Sequence, residues 1–373
     1  MTAEDVGRGA AVDFDLHGLA GVRVVDGTPA DVAVVARQLG PLPRRLEREP
    51  DVTIRFVDRL EPSGRLHYLG AREAGWAEDG FYLLRSRKQP ALVRVPIDRI
   101  GGPCELVCER GLPAVPYLIA ILNLTVLTNG GLPLHAGAFE LDGVGVLVTG
   151  WSKGGKTELL MAATRAGARY IGDEWVYLTE DGSMHGIPEP VRLWDWHLDQ
   201  LPEVRARLGR GDRLRLKGLP LAGRLDGAIP GPIRRSAPGR LLHRAVPVID
   251  GQRHVDLAPE RLFGPLGNLT GRVDHVLFVV AAAGDEITVA PIDPLEIARR
   301  MVFSLLYERL DLATIYLQAR FAFPDLANPR LDTVEAVQRD RLATVLAGRP
   351  AHRIAHPYPV DLADFLEAAR GVL

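Results

Sequence analysis

The stretch of sequence that decides the fold is residues 150–157, Gly150-Trp151-Ser152-Lys153-Gly154-Gly155-Lys156-Thr157. It fits the pattern G-x-x-x-x-G-K-[ST], a loop whose backbone N–H groups and lysine cradle nucleotide phosphates. Only four of the 45 basic residues of the chain are lysines, and two of them lie in this loop. A compact ammonium on a flexible stem fits between phosphate oxygens where a planar guanidinium would not. The loop therefore predicts a nucleotide site.

The segments on either side of the loop have the pattern that a phosphate loop requires. Residues 144–149 predict a strand that enters the loop, and residues 157–166 favour a helix that ends before Gly167. Asp142-Gly143 predicts a hairpin between that strand and an earlier one over residues 135–141. A further strand over residues 168–171 is expected to end just before two acidic residues. The order strand, loop, helix, strand indicates an α/β fold.

Composition excludes several classes of protein. The 373 residues are 47% hydrophobic and carry a net charge of -2, so we expect a globular protein without a global field for nucleic acid. The acidic N-terminus lacks the apolar region of a signal peptide, and the longest apolar run, residues 115–128, is short for a membrane span. Cys104 and Cys108 alone cannot complete a zinc site. We expect a cytoplasmic protein that does not bind membranes.

The sequence suggests two domains. Residues 1–110 contain short predicted strands at 22–25, 52–57, 80–85 and 91–95, which indicate a smaller β-rich or α+β domain for accessory or recognition roles. Residues 111–373 hold the loop and predicted helices over 117–127, 294–309, 333–347 and 361–371. Within this part, residues 205–244 carry eleven Lys or Arg against two acids. This basic segment is either a solvated loop or a mobile lid that meets phosphates.

Several further side chains are candidates for chemistry. Asp173 follows the predicted strand after the loop, and ligands of open α/β sheets bind at the carboxyl ends of strands. Asp173 is therefore a candidate general base or metal ligand, with Glu174 beside it. His135 precedes the loop strand by one hairpin, although a lone histidine is more often a core residue. Arg192, Trp194 and Trp196 could provide a cation and a base platform, or surface charge and packing.

Together these residues resemble the HPr kinase/phosphorylase family and related HPr-kinase-like serine kinases. The matching block runs over residues 134–174, in which His135 precedes Gly150 by fifteen residues. Asp173 and Glu174 follow Thr157 by sixteen and seventeen residues. All three spacings are those of the family. The resemblance implies a P-loop kinase core of the HPr kinase / PEP carboxykinase type, a mixed sheet flanked by helices, in residues 111–373.

The resemblance also implies roles for individual residues. Asp173 would be the base that takes the proton of an acceptor hydroxyl, with His135 and Lys156 as further catalytic residues. Thr157 and Glu174 would support Mg²⁺. ATP would bind to the loop residues Gly150, Ser152, Lys153, Gly154, Gly155, Lys156 and Thr157. The chain departs from the family pattern at Lys153, where glycine is usual, and at Glu174, where the second acid is usually aspartate. It also lacks the glycine-rich signature further along the chain, so the resemblance does not extend to HPr as the acceptor or to dephosphorylation.

The function predicted from the sequence is therefore transfer of the γ-phosphoryl group of Mg·ATP to a Ser or Thr hydroxyl of a peptide or protein. A kinase for free serine or another small hydroxyl metabolite is one alternative. Another is an ATPase or nucleotide-binding switch without an acceptor, although the chain has no NKxD or LSGGQ motif. A carboxykinase would rest on fold analogy alone. The sequence leaves homo-oligomerisation open.

Overall fold

The computed structural model describes residues 11–40, 46–70, 73–84, 91–213, 216 and 254–373. Over these residues the chain is a mixed α/β protein with an eight-stranded, a six-stranded, a four-stranded and a two-stranded sheet. The basic segment at residues 205–244 lies outside the described residues, except for its first part and residue 216.

The elements follow one another in a clear order along the chain. In the first part they are β1 (Val12–Leu16), β2 (Ala20–Val25), α1 (Pro29–Leu39), β3 (Val52–Val57), β4 (His67–Leu69), β5 (Ala74–Ala77), β6 (Gly80–Leu84), β7 (Leu92–Arg94), β8 (Cys104–Glu109), α2 (Leu118–Thr128) and β9 (Leu132–His135). The loop region adds β10 (Gly137–Leu141), β11 (Val144–Gly150), α3 (Lys156–Arg165), β12 (Arg169–Gly172), β13 (Trp175–Leu178), β14 (Ser183–Gly186), β15 (Val191–Trp194), α4 (Asp195–Gln200) and α5 (Pro202–Arg207).

The last part of the chain completes these layers. Its elements are β16 (His254–Leu257), α6 (Pro259–Phe263), β17 (Thr270–Arg272), β18 (His275–Ala281), β19 (Thr288–Pro291), α7 (Pro294–Glu308), α8 (Leu310–Ala322), α9 (Pro329–Leu346), β20 (Ala351–His356) and α10 (Leu362–Arg370). The strands predicted near residues 22–25, 52–57, 80–85, 91–95, 144–149 and 168–171 are confirmed within a residue or two. The helix predicted from 294 is also confirmed: Asp293 caps it by accepting a hydrogen bond from the Leu295 N–H, and Pro294 begins it.

The N-terminal strands form the eight-stranded sheet in the order β1-β2-β3-β8-β7-β6-β5-β4. Its centre is parallel, because β3 pairs in parallel with both β2 and β8, and the remaining pairs are antiparallel. The connection from β2 to β3 contains α1, which begins with a capping box between Thr28 and Asp31. This helix was not predicted from the sequence.

The six-stranded sheet, in the order β12-β10-β11-β18-β20-β19, places the loop. β11, β18 and β20 are mutually parallel, while β10 runs antiparallel to both β11 and β12. The carboxyl ends of β11, β12 and β20 and the start of β10 therefore meet at one edge of the sheet. Ligands of such sheets bind at that edge.

One predicted strand is wrong. Residues 135–141 were expected to form a single strand of the hairpin, but His135 ends β9 and only Gly137–Leu141 pairs with β11. β9 belongs to the four-stranded sheet, where His135 is opposite Trp175. Between the two strands, the Ala136 N–H donates to the carbonyl of Glu174 at 3.2 Å. The chain thus passes from one sheet to another at Ala136, which apolar periodicity alone does not reveal because both strands are buried.

Two clusters of buried side chains hold these layers together. The first joins the eight-stranded sheet to α2, α7, α8 and α9 and to the four-stranded sheet, so it is continuous across residue 110. The second lies around α3 and packs this helix against the six-stranded sheet, the two-stranded sheet and α10. The division of the chain at residue 110 stays a prediction. Among the described helices, none has both the length and the apolar character that a membrane crossing requires.

Candidate active site

Two positions of the glycine loop have a backbone conformation that favours glycine. Gly150 and Gly155 have φ of 150° and 108°. A Cβ at Gly150 would lie 2.4 Å from the Val279 carbonyl oxygen, and one at Gly155 would lie 2.3 Å from His356 Nε2. The loop therefore needs glycine at both positions for conformation and for space. α3 begins directly after it at Lys156, so the positive end of this helix faces the loop.

Lys153 occupies the bend of the loop itself. Its φ is 60°, in the left-handed region, whereas the neighbouring Gly154 does not have a positive φ. The left-handed bend thus falls on the lysine that replaces the usual glycine, and not on Gly154 beside it. The ammonium of Lys153 lies 5.5 Å from the centre of the Trp194 ring, which is a cation–π distance. Holding a lysine in this conformation costs about 1 kcal/mol.

Lys156 turns its ammonium into the loop. Nζ donates to the carbonyl oxygens of Trp151 at 3.0 Å and Gly150 at 3.4 Å. Burial lowers the pKa of this lysine, although the charges of Glu174 and Asp173 oppose the effect. The ammonium is thus held inside the loop by neutral carbonyl groups, where an anionic ligand would gain from its charge.

Thr157 and Asp173 form the next contact. The Thr157 hydroxyl donates to Asp173, with Oγ1 at 3.0 Å from Oδ2 and 3.3 Å from Oδ1. Asp173 follows β12 at the edge where the loop follows β11, as the sequence predicted. The sixteen-residue spacing between them therefore corresponds to a direct contact between the loop and this carboxylate.

The Asp173 carboxylate is almost completely buried, with 2% of its surface exposed. Burial and then the charge of Glu174 raise its pKa to about 7, against the opposing effects of the Thr157 hydrogen bond and the Lys156 charge. A carboxylate with a pKa near neutrality can accept and release a proton at physiological pH, which an exposed aspartate does poorly. Asp173 therefore has the properties of a general base.

His135 joins two further acids on the other side of Asp173. Its Nε2 is 2.9 Å from Glu174 Oε2, and its Nδ1 is 3.0 Å from Glu308 Oε1. The first contact is a hydrogen bond, while the second has ion-pair distance without hydrogen-bond angles. Burial alone would lower the pKa of His135, but Glu174 and Glu308 together hold it above its ordinary value. Burial likewise works against ionisation of Glu174, yet His135 keeps the pKa of this acid below its usual range.

A second buried pair fixes the segment that covers the loop. Glu158, in the first turn of α3, lies 3.0 Å from His197 Nε2. The Trp194 N–H donates to His197 Nδ1 at 2.9 Å, so Nδ1 is unprotonated and Nε2–H donates to the carboxylate. Burial opposes ionisation of Glu158, but the hydrogen bond from His197 lowers its pKa overall. This chain of contacts attaches the β15–α4 segment to α3.

His356 holds the opposite side of the loop. It ends β20, is fully buried, and places Nε2 at 2.8 Å from the Gly154 carbonyl oxygen. Its Nδ1 is 2.7 Å from the Pro357 carbonyl oxygen. The imidazole is therefore wedged between the loop and the end of the strand, which explains the lack of room for a side chain at Gly155.

A cavity of about 210 Å³ opens over the loop and collects these groups. It is lined by the loop residues 152–157, by His135, Asp173, Glu174 and Glu308, and by the covering side chains Glu158, Arg192, Trp194, His197 and Tyr358. Arg192 also pairs with Asp256 across β15 and β16, with Nε to Oδ1 at 2.9 Å. Trp196 is turned toward His197, with ring centres 3.8 Å apart. Trp194, not Trp196, thus faces the cavity.

The structure brings the residues predicted from sequence into one place. Ser152, Lys153, Gly154, Gly155, Lys156, Thr157, His135, Asp173 and Glu174 all line the cavity, and Gly150 starts the loop. Five residues of the site were not predicted from the sequence: Glu308, Glu158, His197, Tyr358 and His356. His356 could have been found as the last residue of a strand at the same sheet edge, but β20 was not predicted. Glu308 has no local signal, since it reaches His135 from a helix 173 positions further along the chain.

The acids of the cavity can support a divalent cation that also binds phosphates. Among the described residues, no three His, Cys, Asp or Glu side chains are grouped closely enough to hold a metal by themselves. Mg²⁺ in phosphoryl-transfer sites commonly takes only one or two protein carboxylates or hydroxyls, with water and phosphate oxygens as the other ligands. The Thr157 hydroxyl and the Glu174 carboxylate, which is partly exposed in the cavity, fit that requirement.

Comparison with known proteins gives no assignment. No family model matches the chain, and no curated protein matches its sequence.

Proposed function

We propose that the protein transfers the γ-phosphoryl group of Mg·ATP to a hydroxyl group, with a Ser or Thr of a peptide or protein as the acceptor. The observation that carries this proposal is the buried Asp173 carboxylate, whose pKa lies at about 7. It contacts the Thr157 hydroxyl and stands beside Lys156 at the end of a phosphate-loop motif. A base next to a phosphate site is what hydroxyl phosphorylation requires.

The chain's own residues account for the steps of the reaction. The acceptor oxygen forms a bond to the γ-phosphorus while the bond from that phosphorus to the bridging oxygen breaks and ADP leaves. Asp173 takes the hydroxyl proton. Lys156 and the start of α3 neutralise phosphate charge. Mg²⁺, bound with the phosphates by Thr157 and Glu174, would supply further charge neutralisation.

His135 is a positioning residue in this scheme. Its raised pKa favours the charged imidazolium, which holds Glu174 and Glu308 on its two nitrogens. Paired in this way, the two acids repel the phosphates less than free carboxylates would. Their positions are also fixed before substrate binds, which lowers the entropic cost of the reaction.

The cavity suits a nucleotide in other respects. The Trp194 ring, with Lys153 beside it, and the half-exposed Tyr358 line the mouth of the cavity. Flat aromatic rings at the mouth of a phosphate site offer stacking surfaces for a base. ATP is therefore a reasonable donor, and the base preference can be measured by competition.

An exposed apolar surface next to the loop supports a macromolecular acceptor. Trp151 of the loop contacts Tyr307 of α7, with ring centres 5.1 Å apart. Helices α7 and α8 carry further large apolar side chains that are 49% to 71% exposed, namely Phe303, Leu310, Leu317 and Phe321. Several exposed large apolar side chains on neighbouring helices favour a protein interaction site when they form one patch. A small metabolite would need no such surface.

The proposal is tested by incubating the protein with Mg·ATP and peptide or lysate acceptors, followed by mass spectrometry. A phosphorylated acceptor, seen as a gain of about 80 Da, is expected for the wild type and not for Asp173→Asn. Nucleotide binding should survive in that variant. ATP hydrolysis without any acceptor product would favour the ATPase alternative, and phosphorylation of free serine alone would favour a small-molecule kinase. A phosphorylated product that persists in Asp173→Asn would remove this residue from its role.

A further inference from the structure

A second cavity lies behind the active site. It has a volume of about 190 Å³ and lies between α2, β9, α7 and α9. Its lining combines apolar side chains, such as Leu124, Leu127, Leu305 and Val334, with four polar ones. An apolar cavity of about 150 Å³ is large enough to bind benzene. The second cavity is therefore large enough for one side chain or a small metabolite, and too small for a nucleotide.

The second cavity adjoins the active site at two side chains. Glu308 lines both cavities. Trp175, which follows Glu174 directly, lines the second cavity and lies against His135 with ring centres 5.7 Å apart. A molecule in the second cavity would therefore contact Glu308 and Trp175, the two side chains that also contact His135 of the active site.

Two charged side chains line the second cavity, Glu308 and Arg309, and the Arg309 guanidinium has no carboxylate partner among the described residues. Arg309 donates to the neutral Gln338 Oε1 at 2.6 Å, and no carboxylate of the described residues lies within ion-pair distance of it. The nearby Glu335 is already paired with Arg339 at 2.6 Å. Burial lowers the pKa of Arg309, so its charge is held at a cost that a bound anion would relieve.

Glu308 and Asn123 are two further polar residues that line the second cavity. The Glu308 carboxylate faces His135, so its charge is directed to the active site. The buried Oδ1 of Asn123 has no hydrogen-bond partner and is free to accept from an N–H or O–H of a ligand. A guanidinium, a free amide oxygen and apolar walls suit a ligand with a carboxylate on a short apolar stem.

We propose that the second cavity binds the acceptor and selects one that carries a carboxylate, held by Arg309, a few bonds from the hydroxyl that is phosphorylated. This inference rests on the proposed function, because it assigns the acceptor of the same reaction. Within the proposed function the source of the carboxylate is the C-terminal Ser or Thr of a peptide. A free hydroxy or amino acid shares this chemistry and would instead correspond to the small-molecule alternative. The acceptor hydroxyl would pass the Glu308–His135 pair to reach Asp173.

Binding can be tested without turnover. Saturation-transfer NMR with butyrate, which has the carboxylate and the apolar stem but no hydroxyl, is expected to show transfer in the wild type and loss in Arg309→Gln. Butyramide should show little transfer. Arg299→Gln, the same substitution on the exposed face of α7, serves as the control. Equal butyrate signals in Arg309→Gln and wild type would overturn the proposal.

A second variant covers the case in which Arg309→Gln does not fold. Ala120→Leu fills the cavity from α2 and leaves Arg309 in place. It should abolish the butyrate signal while Mg·ATP still binds. Undiminished butyrate binding in this variant would place the ligand elsewhere and overturn the proposal.

Kinetics then identify the source of the carboxylate. Peptides ending in serine are compared as free acid and as amide, next to free serine and its methyl ester. Arg309→Gln should raise KM for the carboxylate forms roughly 10- to 100-fold, with kcat changed less, and leave the amide and ester unaffected. Preference for the peptide acid or for free serine names the source. If the peptide acid and the peptide amide are phosphorylated with equal KM, the carboxylate site is rejected and the proposed function stands. If butyrate binds but no acceptor is phosphorylated, the proposed function is rejected.

Discussion

Replacement of Asp173 by Asn should remove activity and make the protein more stable above neutral pH. In the wild type the buried carboxylate is raised from the ordinary value of 3.8 to a pKa of about 7, first by burial and then by the charge of Glu174. Above pH 7 the folded protein must therefore keep an unfavourable charge that the unfolded chain solvates freely. Asn keeps an oxygen that can accept the Thr157 hydrogen bond, but carries no charge.

The size of the effect follows from the two pKa values. Each unit of difference is worth about 1.4 kcal/mol, so a rise from 3.8 to about 7 corresponds to about 4 kcal/mol at most. Burial of the neutral amide and its unused N–H donors offsets part of this. We therefore expect Asp173→Asn to raise the free energy of unfolding by about 2 to 4 kcal/mol at pH 8.5.

The direction of the pH dependence is fixed by the raised pKa. Between pH 3.8 and about 7 the folded state binds the proton and the unfolded state does not, so wild-type stability from this group falls as pH rises through that window. The Asn variant has no such loss. The difference between the two proteins should therefore be small near pH 4.5 and reach its full value above pH 7.

Urea unfolding at pH 5 and pH 8.5 measures this difference. The midpoint of the variant should exceed that of wild type clearly at pH 8.5 and much less at pH 5, with unchanged m-values. Asp98→Asn, which removes an exposed carboxylate on the surface, should change the midpoint at neither pH. A variant no more stable than wild type at pH 8.5 would refute the view that Asp173 is a destabilised, ionisable base.

Three further predictions follow from the same site. Activity of the wild type, measured as kcat/KM against pH, should rise about tenfold per unit below pH 7 and level off above it, because Asp173 acts only when ionised. Lys156→Ala should abolish turnover, whereas Lys153→Gly should cost at most about tenfold, or about 1.4 kcal/mol, in the same assay; equal losses would mean that the loop carries two catalytic cations. His197→Ala leaves the buried Glu158 carboxylate without its hydrogen-bond donor. The free energy of unfolding, measured in urea, should therefore fall by about 3 kcal/mol. A loss below about 1 kcal/mol would show that water replaces the histidine.

The sequence predicted the part of the site that is set by neighbouring residues. The loop, α3 and Asp173 lie within one strand–helix–strand unit, and their order alone brings the Thr157 hydroxyl to the Asp173 carboxylate. Lys153 could not be placed in the same way. Its ammonium lies near Trp194 of β15, a strand that pairs with β16 from a distant part of the chain.

The rest of the site depends on contacts between distant segments. His135 was recognised by spacing, yet its strand was assigned to the wrong sheet, because a buried strand and the beginning of the next are both apolar. Its partner Glu308 reaches it from the end of α7, and the packing of α7 against β9 is a tertiary property. The second cavity likewise arises where α2, α7 and α9 meet, which no local pattern encodes.

The two consecutive acids show how the chemistry of the site is tied to the fold. Asp173 follows β12 of the six-stranded sheet, whereas Glu174 precedes β13 of the four-stranded sheet, so the peptide between them joins the two sheets. Glu174 makes this turn with a φ of 64°, a conformation that costs a non-glycine residue about 1 kcal/mol or more. Glycine would relieve that cost, but it would remove the carboxylate that holds His135 and raises the pKa of Asp173. A strained acid at this turn is therefore understandable if its charge is needed for function, because backbone strain of this kind is usually retained where a site depends on it.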